Sequence, residues 1–279
     1  MTTNEIEGYY NQGREQNRLT TGVGPLELAR TQELLLRYLP NPPATILDVG
    51  GGVGRYAFWL ADRGYTVHLI DIMPLHIEQA LKASERQADH PLASARVGTA
   101  QRLDFPDSSA DAVLLLGPLY HLLEQAERLQ ALREAYRVLK PNVVLFAVTI
   151  SRFASFMDGL MRGFLADPYF AEIAARDLVD GQHRNPTGQR GYFTTAYFHS
   201  STEIQQEVEA AGFIVEGAIA IEGMAGHMPD FDRFWGDDTL RQRLLEFLRK
   251  VEREPSILGV SAHLMTIGFK RERNADASS

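Results

Sequence analysis

The chain has 279 residues, 44% hydrophobic and 23% charged, a globular composition with room for one large domain or a domain carrying an insertion. Its net charge of -8 argues against the broad positive face that nucleic acid or an anionic membrane requires. The absence of cysteine excludes a disulfide framework, a thiolate metal site and a cysteine nucleophile.

The opening stretch, MTTNEIEGYYNQGREQNR, lacks the basic start and apolar core of a signal peptide, so a cytoplasmic location is expected. A leucine-rich helix is predicted over Leu26–Leu39, ahead of the loop PNPP. From Ile46 strands and helices alternate, the pattern of a mostly parallel sheet covered on both faces. Ile46–Val49 is a strand, Tyr56–Arg63 a helix stopped by Gly64, Thr66–Asp71 the next strand and Leu75–Ala88 the next helix. ARVGTA supplies a short third strand and DAVLLLG a buried fourth. The following helix is read with Leu122, Ala126, Leu129, Leu132, Tyr136 and Leu139 on one face, ending at KPNVV, where Pro141 presets a turn and Asn142 tolerates positive φ. VVLFAVTI is the fifth strand. Ser200 and Glu203 form a capping-box pattern for a helix over Ile204–Ala211, and Phe213–Ile221 and His263–Phe269 are the last two strands. The resulting division is a helical cover over 1–40, a core over 41–150, a helical lid insertion over 151–198, a return to the core over 199–270 with a helical insertion at 223–258, and a tail over 271–279.

The stretch ILDVGGGVGRYAFWLADRGYTVHLIDIMP joins strand, glycine turn, helix and acid-ended strand, a unit that binds nucleotide-like ligands. Its glycines allow two registers. As G-x-G-x-x-A, Gly52, Gly54 and Ala57 match a dinucleotide fingerprint, with Asp71 as the ribose acid, which makes an NAD(P)-dependent oxidoreductase the alternative. As D-x-G-x-G-x-G, Asp48, Gly50, Gly52 and Gly54 all have work, and the ligand has an amine and a carboxylate at one end and a ribose at the other.

Further motifs follow in order: VGTAQRLDFPDSSADAVLLLGPLYHL, then REAYRVLKPNVVLFA. With them the chain resembles the class I S-adenosylmethionine-dependent methyltransferases, most of all the broad group of quinone-biosynthesis and small-molecule enzymes, over roughly 45–150 with weaker echoes at 200–222 and 262–270. The resemblance implies a Rossmann-like α/β fold with a seven-stranded, mostly parallel sheet and an antiparallel last strand. It implies S-adenosylmethionine as cofactor, with Asp48, Gly50 and Gly52 at the methionine part, Asp71 at the ribose hydroxyls and Ile72 and Met73 on the adenine face. Thr99, Ala100 and Gln101 would border the adenine edge, and Leu116 would offer its carbonyl to the amine. Thr99 departs from the acid found in many relatives, and Asn142 and Val143 replace the usual glycine pair.

Methyl transfer needs alignment above all, and sometimes removal of a proton. Tyr120 and His121, in GPLYHL after the fourth strand, are the candidate catalytic residues, His121 as a general base with an ordinary pKa near ~6.5. Both also suit plain structural roles. His183, His199, His227 and His263 lack metal-ligand spacing, so no metal is expected. Phe153, Phe156, Met157, Leu160, Met161 and Phe164, then Tyr169, Phe170, Ile173, Ala174 and Leu178, recur at helical spacing; this is either core packing or a lid with an apolar inner wall. Arg152, Arg162, Arg184 and Arg190 are candidates for an acidic substrate group or ordinary surface charges, and Tyr9, Tyr10, Arg14 and Arg18 for a second cover. The expected partner is a small methyl acceptor of apolar or aromatic character, neither nucleic acid nor membrane, methylated on oxygen, nitrogen or carbon. A cofactor-binding protein without catalysis is the other alternative.

Overall fold

The computed structural model describes residues 18–87 and 89–271, apart from the side chain of Arg190. Tyr9, Tyr10, Arg14 and Ala88 therefore lie outside the described residues. Seven strands form one sheet: β1 (Thr45–Val49), β2 (Thr66–Asp71), β3 (Ser94–Val97), β4 (Ala110–Leu115), β5 (Leu139–Ile150), β8 (Ile214–Ala220) and β9 (His263–Lys270). Their spatial order is β3-β2-β1-β4-β5-β9-β8, and β9 runs antiparallel to both of its neighbours. The chain steps outward from β1 to β2 and β3, then returns to β4 on the other side. That reversal opens a crevice beyond the carboxyl ends of β1 and β4, the standard ligand position of such sheets.

Period-two alternation divides the strands between two cores. Ile46, Leu69, Leu114 and Phe146 face one side, under α1 (Gly24–Tyr38), α2 (Arg55–Ala61) and α3 (Pro74–Arg86). Leu47, Val113, Leu115 and Leu145 face the other, under α4 (Gln125–Val138) and α7 (Ser201–Ala210). The capping box at Ser200 and Glu203 is present, with Ser200 Oγ accepting from Glu203 N–H and Glu203 accepting from Ser200 N–H.

The face read for α4 is corrected. The helix buries Arg128, Ala131, Leu132, Ala135 and Val138, while Ala126 is exposed, Leu122 precedes the helix and Leu139 already belongs to β5. An apolar periodicity treats arginine as a surface residue, but Arg128 is taken inside by Glu207, to which it donates from Nε and Nη2 at 2.9 and 2.8 Å. Asn142 does adopt positive φ (62°), as an irregularity within β5, so Pro141 and Asn142 do not separate helix from strand.

The insertion holds α5 (Ala154–Arg162), α6 (Pro168–Asp180) and a short ribbon of β6 (Gln182–His183) with β7 (Ala196–Tyr197). Phe170, Ile173 and Ala174 pack with Tyr192 and Phe164 in a small core of their own, whereas Phe153, Phe156, Leu160, Met161, Tyr169 and Leu178 are exposed. The C-terminal insertion, α8 (Phe231–Gly236) and α9 (Asp238–Val251), buries Leu245 and Leu248 against Leu26 of α1. Among the described residues no helix is long and apolar enough to cross a membrane.

Candidate functional site

The crevice holds a cavity of about 780 Å³. The ends of four parallel strands build it: Asp48 and Gly50–Gly52 at the end of β1, Asp71–Met73 at the end of β2, Gly98–Gln101 after β3, and Leu116–Pro118 with Tyr120–Leu122 after β4. Every site residue expected from the sequence lines this one cavity: Asp48, Gly50, Gly52, Asp71, Ile72, Met73, Thr99, Ala100, Gln101, Leu116, Tyr120 and His121. Arg18, Leu28, Gln32 and Tyr56 add a wall from the N-terminal side.

The glycine turn is required sterically. Gly50 has φ of 71°, and a Cβ there would stand 2.8 Å from Pro118 Cδ, so a side chain would push apart the loops after β1 and β4. A Cβ on Gly51 would lie 2.4 Å from Asp48 Oδ2. The turn thus wraps closely around the Asp48 carboxylate.

Two carboxylates at the cavity differ sharply in their surroundings. Asp48 is fully buried and neither of its oxygens makes a hydrogen bond of good geometry. Burial, then the charge of Asp71, pushes its pKa up to about 7, with the backbone N–H of Ala57 pulling weakly the other way. Asp71, by contrast, is held on both oxygens: Gly52 N–H donates to Oδ2 at 2.8 Å, Met73 N–H donates to Oδ1 at 2.8 Å, and His76 Nδ1 lies 3.1 Å from Oδ1. An unpaired buried anion costs several kcal/mol, a cost that a proton or a bound cation relieves, so the surroundings of Asp48 suit a cationic group. When ionised, it would repel the diphosphate of a dinucleotide, which weighs against the G-x-G-x-x-A register.

On the other side, Leu119–His121 form a single 3₁₀ turn in which the Tyr120 and His121 rings meet edge to face, centroids 4.6 Å apart. Burial brings the His121 pKa down to about 4, with a hydrogen bond to the Thr195 backbone opposing it. This corrects the expectation of an ordinary histidine: the ring is neutral at pH 7 and a weak base. The insertion reaches this turn through Thr195 and Phe193, whose ring stacks on His121 at 6.4 Å. Its two aromatic helices do not line the cavity.

The arginines considered for an acidic substrate have other partners. Arg152 pairs with Glu203 at 2.6 Å, Arg162 with Asp158 at 3.0 Å, and Arg184 donates to Gln182 at 2.7 Å. Arg18 lines the cavity and makes a two-pronged pair with Glu27. Glu27, Glu222 and His263 come close enough to suggest a metal site. Burial opposes charging of His263, but Glu222 and Glu27 raise its pKa to about 9, and its Nδ1 lies 2.6 Å from Glu222 Oε1.

Sequence reasoning passed over Tyr56, His76 and Arg128. Tyr56 carried no signal beyond its place in the helix after the glycines. His76 follows the strand-ending acid by five residues, a spacing with no motif attached. Arg128 donates to the carbonyls of Leu122 and Leu123 at 2.9 and 2.8 Å and so fixes the exit of the loop after β4.

Comparison with known proteins gives the same direction. Residues 47–147 match the family described as "Methyltransferase domain". The S-adenosyl-L-methionine-dependent Diels-Alderase iccD of Talaromyces variabilis is 28% identical over 62% of this chain and 68% of its own length. The ubiquinone/menaquinone biosynthesis C-methyltransferase UbiE of Ruegeria sp. is 26% identical over 61% of this chain and 67% of its own. A solved S-adenosylmethionine-dependent methyltransferase from Methanosarcina mazei superposes with a TM-score of 0.58 at 20% identity, over 86% of this chain and 98% of that one, a likeness of fold.

Proposed function

We propose that the chain, as a class I S-adenosylmethionine-dependent methyltransferase, methylates a small organic molecule which is already a competent nucleophile. The observation that carries this reading is the pair of contrasting groups at the cavity: a buried, unpaired Asp48 that calls for a cation, and a neutral His121 too weak to take a proton from a reluctant acceptor.

When bound, the cofactor supplies an electrophilic methyl group on a positively charged sulfur. Asp48 binds the amino group of its methionine part, with the Leu116 carbonyl as second acceptor, and Gly50 and Gly52 let the backbone approach. Asp71 receives the ribose. Ile72 and Met73 cover the adenine face, and Thr99, Ala100 and Gln101 border its edge. Tyr120 and His121 wall the transfer position, exclude water and hold the acceptor in line. An acceptor with an acidic phenol, enol or activated carbon meets these conditions, because its own proton leaves readily. The net charge of -8 supports a small molecule over nucleic acid as partner.

One observation favours a second reading. The relative iccD is named as a Diels-Alderase that depends on S-adenosyl-L-methionine. A site of this kind that aligns an acceptor without a strong base also suits ring closure in which the methyl group is never transferred. Mass spectrometry separates the two: incubation of the chain with methyl-labelled cofactor and a library of phenols, enols and polyenes yields a labelled product one methylene heavier for transfer. An unlabelled product of unchanged mass would replace the first reading with the second.

A further inference from the structure

We propose that His76 is a positioning residue for ribose recognition, acting through Asp71; this rests on the cofactor reading above. A carboxylate offers about four acceptor positions. In Asp71 three are taken, by Gly52 N–H on Oδ2, by Met73 N–H on Oδ1 and by His76 on Oδ1 at 3.1 Å. The two backbone donors come with the loop geometry. The imidazole does not: it reaches back from the first turn of α3, and His76 and Asp71 are both buried and both line the cavity.

The consequence is geometric. Oδ1 is filled by the fold, which fixes the plane of the carboxylate and leaves the open acceptor position on Oδ2. A ligand therefore meets one preset acceptor, and Asp71 takes one ribose hydroxyl at full strength rather than both. Preset acceptors gain affinity by lowering the ordering cost of binding. Without the imidazole a second acceptor position opens on Oδ1 and only the two backbone donors set the carboxylate, so the single preset position and its advantage are lost although the carboxylate remains.

Titration calorimetry of S-adenosylhomocysteine and its 2′-deoxy and 3′-deoxy analogues tests this on the wild-type chain, His76→Asn, His76→Gln and His76→Ala. Loss of a charge-assisted bond weakens binding about ten- to a hundredfold, so His76→Ala loses that much for S-adenosylhomocysteine. His76→Asn, whose amide stands where Nδ1 does, stays within about threefold of wild type, and His76→Gln, whose amide stands further out, does not. With the one deoxy analogue that lacks the hydroxyl bound by Asp71, wild type and His76→Ala differ by less than about threefold. Equal loss on all three ligands would make His76 a support of the fold alone, and no loss on any would overturn the inference outright. If His76→Ala does not unfold cooperatively, the Asn and Gln pair carries the same comparison. A wild-type chain that binds none of the three ligands refutes the cofactor reading itself, an outcome visible before any variant is made.

Discussion

At the scale of the residue, Asp48 trades stability for binding. Its carboxyl sits at about 7 in the folded chain against an ordinary 3.8, so between those pH values the unfolded state releases its proton first and folding becomes less favourable as pH rises. The penalty is absent below about pH 4 and complete above about pH 7, on the order of a few kcal/mol. Asp48→Asn should therefore raise the melting temperature at pH 8 and leave it unchanged near pH 4, and a rise of the same size at both would contradict the argument. The same titration acts on affinity with the opposite benefit. A protonated Asp48 has no charge to offer an ammonium, so wild-type affinity for S-adenosylhomocysteine should increase from pH 6 to pH 8 by up to about tenfold, a dependence that Asp48→Asn abolishes. His121 belongs at this scale too. Being neutral throughout, it should add no limb of its own to the kcat profile from pH 6 to pH 8, and His121→Gln should keep the wild-type profile and lower kcat less than about tenfold. A limb in the profile that disappears in the variant would restore the general base. The motif letters made both acids legible in the sequence. That one is unpaired and the other nearly saturated was not, because the difference depends on Gly52, Met73 and His76 folding back onto Asp71.

At the scale of the element, α4 is where pattern reading failed, for a physical reason. Its buried face includes Arg128, whose charge is balanced by Glu207 and whose guanidinium lies 3.8 Å from the Tyr197 ring. No periodicity template admits an arginine on the inner stripe, and the partner stands 79 residues away. Arg128→Met leaves Glu207 buried without its cation, takes from the Leu122 carbonyl the donor Arg128 supplies and leaves Leu123 only the longer bond from Gln182 at 3.4 Å. Chemical denaturation should show a loss of about 3–5 kcal/mol, with Arg128→Met/Glu207→Met recovering most of it. A double variant as unstable as the single one would place the cost in packing rather than charge. The strands were legible because each is a short apolar run between turn residues, and the capping box at Ser200 because both of its bonds are local. The ribbon of β6 and β7 was missed, since two-residue strands leave no alternation to read.

At the scale of the whole molecule, the seven-stranded, mostly parallel sheet and its antiparallel last strand agree with what the resemblance implied, and the alternation of strands and helices had already pointed to a parallel sheet. What the covers touch was not legible. Helix α1 and the insertion over α8 and α9 share one apolar cluster, joined by Leu26, Leu245 and Leu248, and an ion pair between buried Arg30 and Glu252. The other insertion spends Phe170 and Tyr192 on a core of its own and meets the loop after β4 through Phe193, Thr195 and the cluster around Ala196 and Phe198. Apolar spacing reveals that a helix has an inner face, but not which neighbour that face meets. The proposed function requires the cavity to take a cation at one end and a ribose at the other. The most direct test is calorimetric titration of the chain at pH 8 with S-adenosylhomocysteine and, separately, with NAD. One-to-one binding of S-adenosylhomocysteine, lost by about a hundredfold or more in Asp48→Asn, with no comparable heat from NAD, is the predicted result. Tighter binding of NAD, or affinity for S-adenosylhomocysteine that survives Asp48→Asn, would contradict it.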